Sequence, residues 1–339
     1  MKIRTGIIGM GVMGEVFIRC LKNISSLDLV AIADINPDVL KTYAKPGVKG
    51  YLDYREMFKK ESLDAVLILT PDQYHLEPVL AARDAGAHIF LEKPLATDIE
   101  DGKRIVNIAD GYDKVFLVGH TLRYDPRIAT AYDAIASGRI GELLHIRVWR
   151  NSIVAHPIRL KGRCSVIKFI GVHDIDAINW FVGRTVKRVS AMSVSKKLKS
   201  LELDTPDAFF ATLEYENGVI VQISSSWVMP PLQGKQSNFR AKGIEVVGTS
   251  GMISIETDHT TGIVIQTEED LEIPDVLHQP QVQGKCFGIY SDELWHFLAC
   301  IEGRAKPATT VRDAYYALAV AHAIEESART GKMTEIENL

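Results

Sequence analysis

A glycine loop near the start of the chain, Gly9-Met10-Gly11-Val12-Met13-Gly14, constrains the fold more than any other feature. The residues before it, Ile3 to Ile8, are short and mostly apolar, as in a strand buried on both faces. Those after it follow a helical pattern, with Met13, Val16, Phe17, Cys20 and Leu21 on one face. A GxGxxG alone says little, but between a strand and a helix it has a definite geometry. Gly9 permits the tight turn, Gly11 lets a pyrophosphate approach the backbone, and Gly14 lets helix and strand pack closely. The phosphates would then meet the unpaired N–H groups of the helix N-terminus. Asp34 lies 20 residues beyond Gly14, at the end of the next apolar run, Leu27 to Ala33. A carboxylate there accepts bonds from a ribose 2′-hydroxyl and repels a 2′-phosphate, and Ile35 and Asn36 supply no arginine. The expectation is a dinucleotide site that takes NAD in preference to NADP. The competing reading is a glycine-rich turn of any α/β protein, with Asp34 merely beside a helix cap.

The alternation continues. Leu63–Leu69, Ala87–Leu91 and Val115–Val118 read as further buried strands, each separated from the next by a helical stretch. Asn36-Pro37 reads as a cap with proline in the first turn, Asp53 with Glu56 as a capping box, and Thr97 with Glu100 as the frame of another helix. Such a pattern predicts a doubly wound parallel sheet. After Gly119 the texture changes. Following a helix near 125–137, Leu144, Ile146 and Val148 alternate with His145, Arg147 and Trp149. Strand-like runs at 186–194, 208–215, 219–225, 244–247 and 252–256 are separated by turns such as Asn217-Gly218, which predicts antiparallel pairing. Two helices, near 290–302 and 311–329, close the chain. The boundary is expected near residue 122, giving a nucleotide domain over 1–122 and a second α/β domain over 123–339.

Net charge is -4, from 39 Lys and Arg against 43 Asp and Glu, so no basic face points to nucleic acid. No stretch approaches the ~18 apolar residues of a membrane span. The N-terminal apolar run is interrupted by glycines and meets Glu15 at once, unlike a signal peptide. The four cysteines form no CxxC pair, so neither a zinc finger nor a disulfide scaffold is expected, and the cytoplasm is the expected location.

Four further segments carry the chemistry. Thr70-Pro71-Asp72-Gln73-Tyr74-His75 and Glu92-Lys93-Pro94 follow strands, where the carboxyl edge of a parallel sheet places ligands. Arg123-Tyr124 follows the next strand, and Gly171-Val172-His173-Asp174-Ile175-Asp176 opens a helix-like stretch. GxGxxG, an acidic strand end, TPxxxH, EKP, Arg-Tyr and GxHxxD, in this order across nearly the whole chain, resemble the Gfo/Idh/MocA oxidoreductases. That resemblance implies a Rossmann domain followed by an α/β domain with a large, mainly antiparallel open sheet. It also implies NAD(P)-dependent chemistry on a sugar, cyclitol or related polyol, and a homodimer or homotetramer formed through the open sheet. By the same resemblance Lys93 is the equivalent of the family's catalytic lysine and His173 of its catalytic histidine.

Oxidising a secondary alcohol needs a base within reach of the hydroxyl. Lys93, partly buried near an oxidised nicotinamide, is expected to have its pKa drawn down from about 10.4. Asp176, one helical turn beyond His173, suits a substrate hydroxyl, and Arg123, Tyr124, His156 and Arg163 are further substrate candidates, with Arg159 nearby. Thr70, Pro71, His75, Glu92 and Lys93 itself join the glycine loop, its Met10, Val12 and Met13, and Asp34 as cofactor candidates. Asp174 reads as solvent-facing or a cap, and the Lys93-Pro94 peptide as cis. His173 with Asp176 supplies two metal ligands and no third, so no metal is expected. Many relatives carry an aspartate four residues before the histidine, where this chain has Phe169. That departure keeps a rival open: a catalytically silent NAD(P)-binding sugar sensor or regulator. A reductase working in the opposite direction is the second rival, since hydride transfer is reversible.

Overall fold

The computed structural model describes residues 2–230, 242–256, 265–266, 271–272 and 276–336. The chain forms two compact units, Met1–Tyr124 with Val276–Tyr315 and Asp125–Asp275 with Tyr316–Leu339. This differs from the single boundary expected near residue 122, because a late segment folds with the first unit. Its helix buries Leu294, Phe297 and Leu298 in the same core as Phe17 and Phe90. An apolar helix face is buried wherever a matching face exists, and sequence order does not decide which one that is.

The first unit is built on six parallel strands, β1 (Ile3–Ile8), β2 (Leu27–Ala33), β3 (Lys49–Tyr51), β4 (Ala65–Ile68), β5 (His88–Glu92) and β6 (Phe116–Gly119). They lie in the order β3-β2-β1-β4-β5-β6. The order reverses between β1 and β4, and such a switch point opens a crevice at the carboxyl ends of the strands. Ile7, Ile32, Leu67 and Phe90 are fully buried, as continuous apolar strands covered on both faces require. Helices α1 (Val12–Leu21), α2 (Pro37–Tyr43), α3 (Tyr54–Lys60), α4 (Leu76–Asp84) and α5 (Ile99–Ala109) connect them. Strand β3 was missed in the sequence because its three residues are short and largely exposed. Two caps also differ. Asp53 accepts from Arg55 N while Glu56 pairs with Lys59 and Lys60, so no reciprocal box forms. Asp98 caps α5, which frees the Thr97 hydroxyl for Asp72.

In the second unit α6 (Pro126–Ala136), β7 (Leu143–Ile153), α7 (Ala155–Leu160), α8 (Val172–Val182), β8 (Val186–Val194), β9 (Ala208–Tyr215), β10 (Ile220–Met229), β11 (Lys242–Gly248) and β12 (Gly251–Glu256) follow. The sheet order is β12-β11-β7-β10-β9-β8, completed by a short strand at Thr334–Glu335. Pairing is antiparallel except between β7 and β10, which run parallel, so the expected antiparallel pairing holds for all but one pair. One face is covered by helices: Tyr132 of α6 stacks on Trp180 of α8 at 3.9 Å. The last two helices of the chain are α9 (Ile289–Ile301) and α10 (Val311–Thr330). No helix among the described residues is long and apolar enough to cross a membrane.

Candidate active site

The glycine loop begins where β1 ends. Gly9 has φ +92°, and a Cβ there would stand 2.8 Å from the Leu69 carbonyl carbon, so neither its conformation nor its surroundings admit a side chain. At Gly14 a Cβ would come within 2.6 Å of the Gly9 oxygen. Gly11 is different: a Cβ would meet nothing within 4 Å. Its lack of a side chain serves the space outside, beside the free N–H groups of the first turn of α1. Asp34 reaches the loop directly. Its Oδ2 accepts from Met10 N at 2.7 Å and its Oδ1 from Asn36 N at 2.8 Å. The carboxylate is thereby fixed at the carboxyl edge of β2. An open cradle at a helix N-terminus with an acid one strand away fits a pyrophosphate and a ribose diol. NAD bound here would lie on the loop, with Asp34 at the adenosine ribose.

The next segments stand on the same edge. Pro71 opens a short 3-10 turn, Asp72–Tyr74, and the Thr70 hydroxyl donates to Tyr74 O at 3.3 Å. His75 is 1 % exposed and places Nε2 2.9 Å from Thr70 O and Nδ1 3.3 Å from Leu95 O. Both ring nitrogens therefore face protein carbonyls rather than an open site. Beyond β5 the Lys93-Pro94 peptide is cis. Glu92 is buried, with Oε2 lacking a hydrogen-bond partner among the described residues, and loss of hydration pushes its carboxyl up to about 7. Glu293 of α9, fully buried, has no hydrogen-bond partner for either carboxylate oxygen among the described residues, and burial followed by the charge of Glu92 pushes it well above the usual carboxylate range. Glu293 escaped sequence reading, although it stands in phase with Ile289, Phe297 and Cys300 on the apolar stripe of its helix. Arg123 donates to Ala308 O and approaches Asp313 at 3.9 Å, while the Tyr124 ring lies 5.5 Å from that of His296. Ala308, Asp313 and His296 all belong to the first unit.

In the second unit a π-helical turn, Ile167–Gly171, runs into α8 and carries Phe169. The Phe169 ring lies 5.9 Å from that of His156, and the Arg159 guanidinium stands 5.9 Å from it. Phe169 thus gathers two of the polar candidates around an apolar ring. Arg163 is exposed on the stretch before it, His173 is half-buried, and Asp176 is 1 % exposed. Asp174 corrects the sequence reading. It is 1 % exposed and accepts two bonds from Arg150, that from Nε at 2.6 Å. Arg150 continues the inward phase of Ile146 and Val148 along β7, and Lys242 shares the inward phase of Ile244 and Val246 on β11. Alternation was the signal that would have found both. Lys242 pairs in register with Arg150, and burial, then the Arg150 and Arg127 charges, draw its amine down to about 7. No group of three or more His, Cys, Asp or Glu residues that could hold a metal occurs among the described residues.

Comparison with known proteins adds independent support. Residues 3–120 match the family model described as the oxidoreductase family, NAD-binding Rossmann fold, and residues 133–336 match that of its C-terminal alpha/beta domain. Myo-inositol 2-dehydrogenase of Thermotoga maritima is 26 % identical, over 99 % of both chains. Inositol 2-dehydrogenase 2 of Saccharopolyspora erythraea is 30 % identical, over 99 % of this chain and 96 % of its own. Among solved structures, scyllo-inositol dehydrogenase from Lactobacillus casei with bound NAD(H) and scyllo-inositol shares the fold at TM-score 0.82 and 21 % identity, over 99 % of each chain. With the glycine loop, the fixed Asp34 and both halves of the chain matched, the protein belongs to the Gfo/Idh/MocA oxidoreductase family and carries that family's NAD-binding Rossmann domain.

Proposed function

We propose that the protein oxidises a secondary hydroxyl of a cyclitol or closely related sugar polyol, with Lys93 taking the hydroxyl proton and His173 assisting as a second proton-handling group. NAD bound to the glycine loop supplies the hydride acceptor. One observation carries the reading: the loop, the Asp34 carboxylate seated on Met10 N, and Lys93 all belong to the carboxyl edge of one parallel sheet. Ligands bind at this edge in folds of this kind. The inositol dehydrogenases among its relatives support the substrate class. Asp176, in the first turns of α8, is assigned to a substrate hydroxyl, and His156 and Arg163 to the substrate's far side. The preference for NAD over NADP rests on the Asp34 carboxylate, which repels a 2′-phosphate.

The test is a panel of inositols, sugars and their keto forms, followed at the nicotinamide absorbance. Lys93→Met is expected to bind NAD as the wild type does and to lose turnover by ~10²–10⁴-fold, the usual scale of a general base. Wild-type turnover in that variant would remove Lys93 from the chemistry. If NAD binds but nothing in the panel reacts, the sensor or regulator reading gains, a reading that Phe169 favours because an aromatic ring cannot hydrogen-bond His173.

Copies of the chain are further inferred to associate through the helix-free face of the seven-stranded sheet, as a homodimer or homotetramer. Met192, Phe210, Ile220 and Met252 stand exposed on its strands. An apolar patch of this kind is normally covered. Phe210→Asp is expected to lower the assembled mass in sedimentation analysis, and an unchanged mass would exclude this face.

A further inference from the structure

Both ring nitrogens of His75 are directed at backbone carbonyls rather than at an open site. The position of those carbonyls is informative. Thr70 O belongs to the loop after β4, and Leu95 O lies two residues beyond Lys93 in the loop after β5. The Pro94 carbonyl also faces the ring. One buried imidazole therefore bridges two adjacent loops at the carboxyl edge. A second bridge runs parallel to it: the Thr97 hydroxyl donates to Asp72 Oδ2 at 2.7 Å, and Asp72 itself is 8 % exposed. Leu95 and Ala96 between the two bridges are buried. The backbone on the C-terminal side of Lys93 is thus pinned at two points to the turn that precedes α4.

We propose that His75 is a positioning residue for Lys93: with the Asp72–Thr97 bond, it fixes the Lys93-Pro94-Leu95 backbone so that the amine is held at the reacting atoms. The proposal rests on the reading of Lys93 as the base. A carbonyl accepts and never donates, so a neutral ring can give only one of its two bonds as N–H···O. The tautomer that serves the Lys93 loop carries the proton on Nδ1 and donates to Leu95 O; with the proton on Nε2 the bond goes to Thr70 O and the ring meets Leu95 O by packing alone. Burial keeps His75 below its ordinary pKa despite the carbonyls and the nearby Asp72 carboxylate, and the neutral form is the working one. Small losses of position matter here, since a displacement of ~1 Å at a catalytic group costs about 10²-fold in rate.

The experiment is a double-mutant cycle, run with NAD and whichever panel compound the wild type oxidises fastest. His75→Ala is expected to lower kcat by ~10–100-fold while its Kd for NAD changes less than about threefold, and millimolar imidazole is expected to restore part of the loss. Adding His75→Ala to Lys93→Met is expected to lower the residual rate no further, because a residue acting only through Lys93 has nothing left to act on. Equal losses with and without Lys93, or an unchanged kcat in His75→Ala, would overturn the proposal while leaving Lys93 as the base. Wild-type turnover in Lys93→Met would overturn the underlying reading and the proposal with it. Should His75→Ala fail to fold, Thr97→Val decides. It cuts the parallel bridge and is expected to lower kcat in the same non-additive way, and no change would overturn the proposal.

Discussion

The three glycines of the nucleotide loop are required for different reasons, and substitution separates them. Gly9 has no room for a side chain and sits at positive φ, so Gly9→Ala is expected to destabilise the fold by about 1–3 kcal/mol. Gly11 borders open space. Gly11→Ala is therefore expected to change stability by less than about 0.5 kcal/mol, yet to weaken NAD binding at least tenfold by filling the approach of the pyrophosphate. Thermal melting paired with a fluorescence titration checks both. Normal affinity in Gly11→Ala would mean that the phosphates lie elsewhere. Glycine spacing and Asp34 were legible in the sequence because backbone freedom and a carboxylate at a strand end are local properties. The environment of Asp174 was not. Its side chain is polar and opens a helix, which reads as solvent, and only the inward turn of Arg150 makes it a buried partner.

At the scale of elements, that pair joins the end of β7 to the start of α8, the helix that carries His173 and Asp176. Arg150 and Asp174 are both buried, so removing one leaves a charge without its partner. Arg150→Met is expected to lower stability by about 3–5 kcal/mol, and Arg150→Met with Asp174→Leu to recover much of it. Denaturant unfolding of the three variants decides the matter. A double variant as unstable as the single one would show that the pair does more than neutralise buried charge. The elements themselves were largely readable, since apolar periodicity marked five of the six parallel strands and the runs of the second sheet. Strand β3 was not, being three residues at a sheet edge with little burial to imprint a pattern.

Across the whole molecule, two buried groups give stability opposite pH dependences. The Glu92 carboxyl titrates at about 7 in the fold against 4.5 ordinarily, so between these values the folded state holds the extra proton. Stability owed to this residue then falls as pH rises from 4.5 to 7, and Glu92→Gln is expected to flatten that part of the profile. Lys242 titrates at about 7 in the fold against 10.5 ordinarily, so the unfolded chain binds the extra proton between 7 and 10.5. Its contribution rises with pH across that window. Lys242→Met is expected to remove the rise and to stabilise the protein at pH 7 and below. Unfolding free energies of both variants at five or six pH values test the signs, and an unchanged slope in either would place that group in a wetter setting.

The sequence by itself determined what depends on neighbours along the chain. The glycine turn, the acidic strand end, each strand and helix of the alternation, and each of the short motifs that mark the oxidoreductase family is written in a few consecutive residues. Tertiary structure decided which distant segments share a core and which polar side chains lose their water. It returned residues 276–315 to the first unit, brought the buried Glu293 within reach of the charge of Glu92, paired Arg150 with Asp174, and aimed both ring nitrogens of His75 at backbone carbonyls. Burial and charge pairing depend on atoms brought together from far apart in the chain, and the energy of a polar group is set by those atoms rather than by its own residue type.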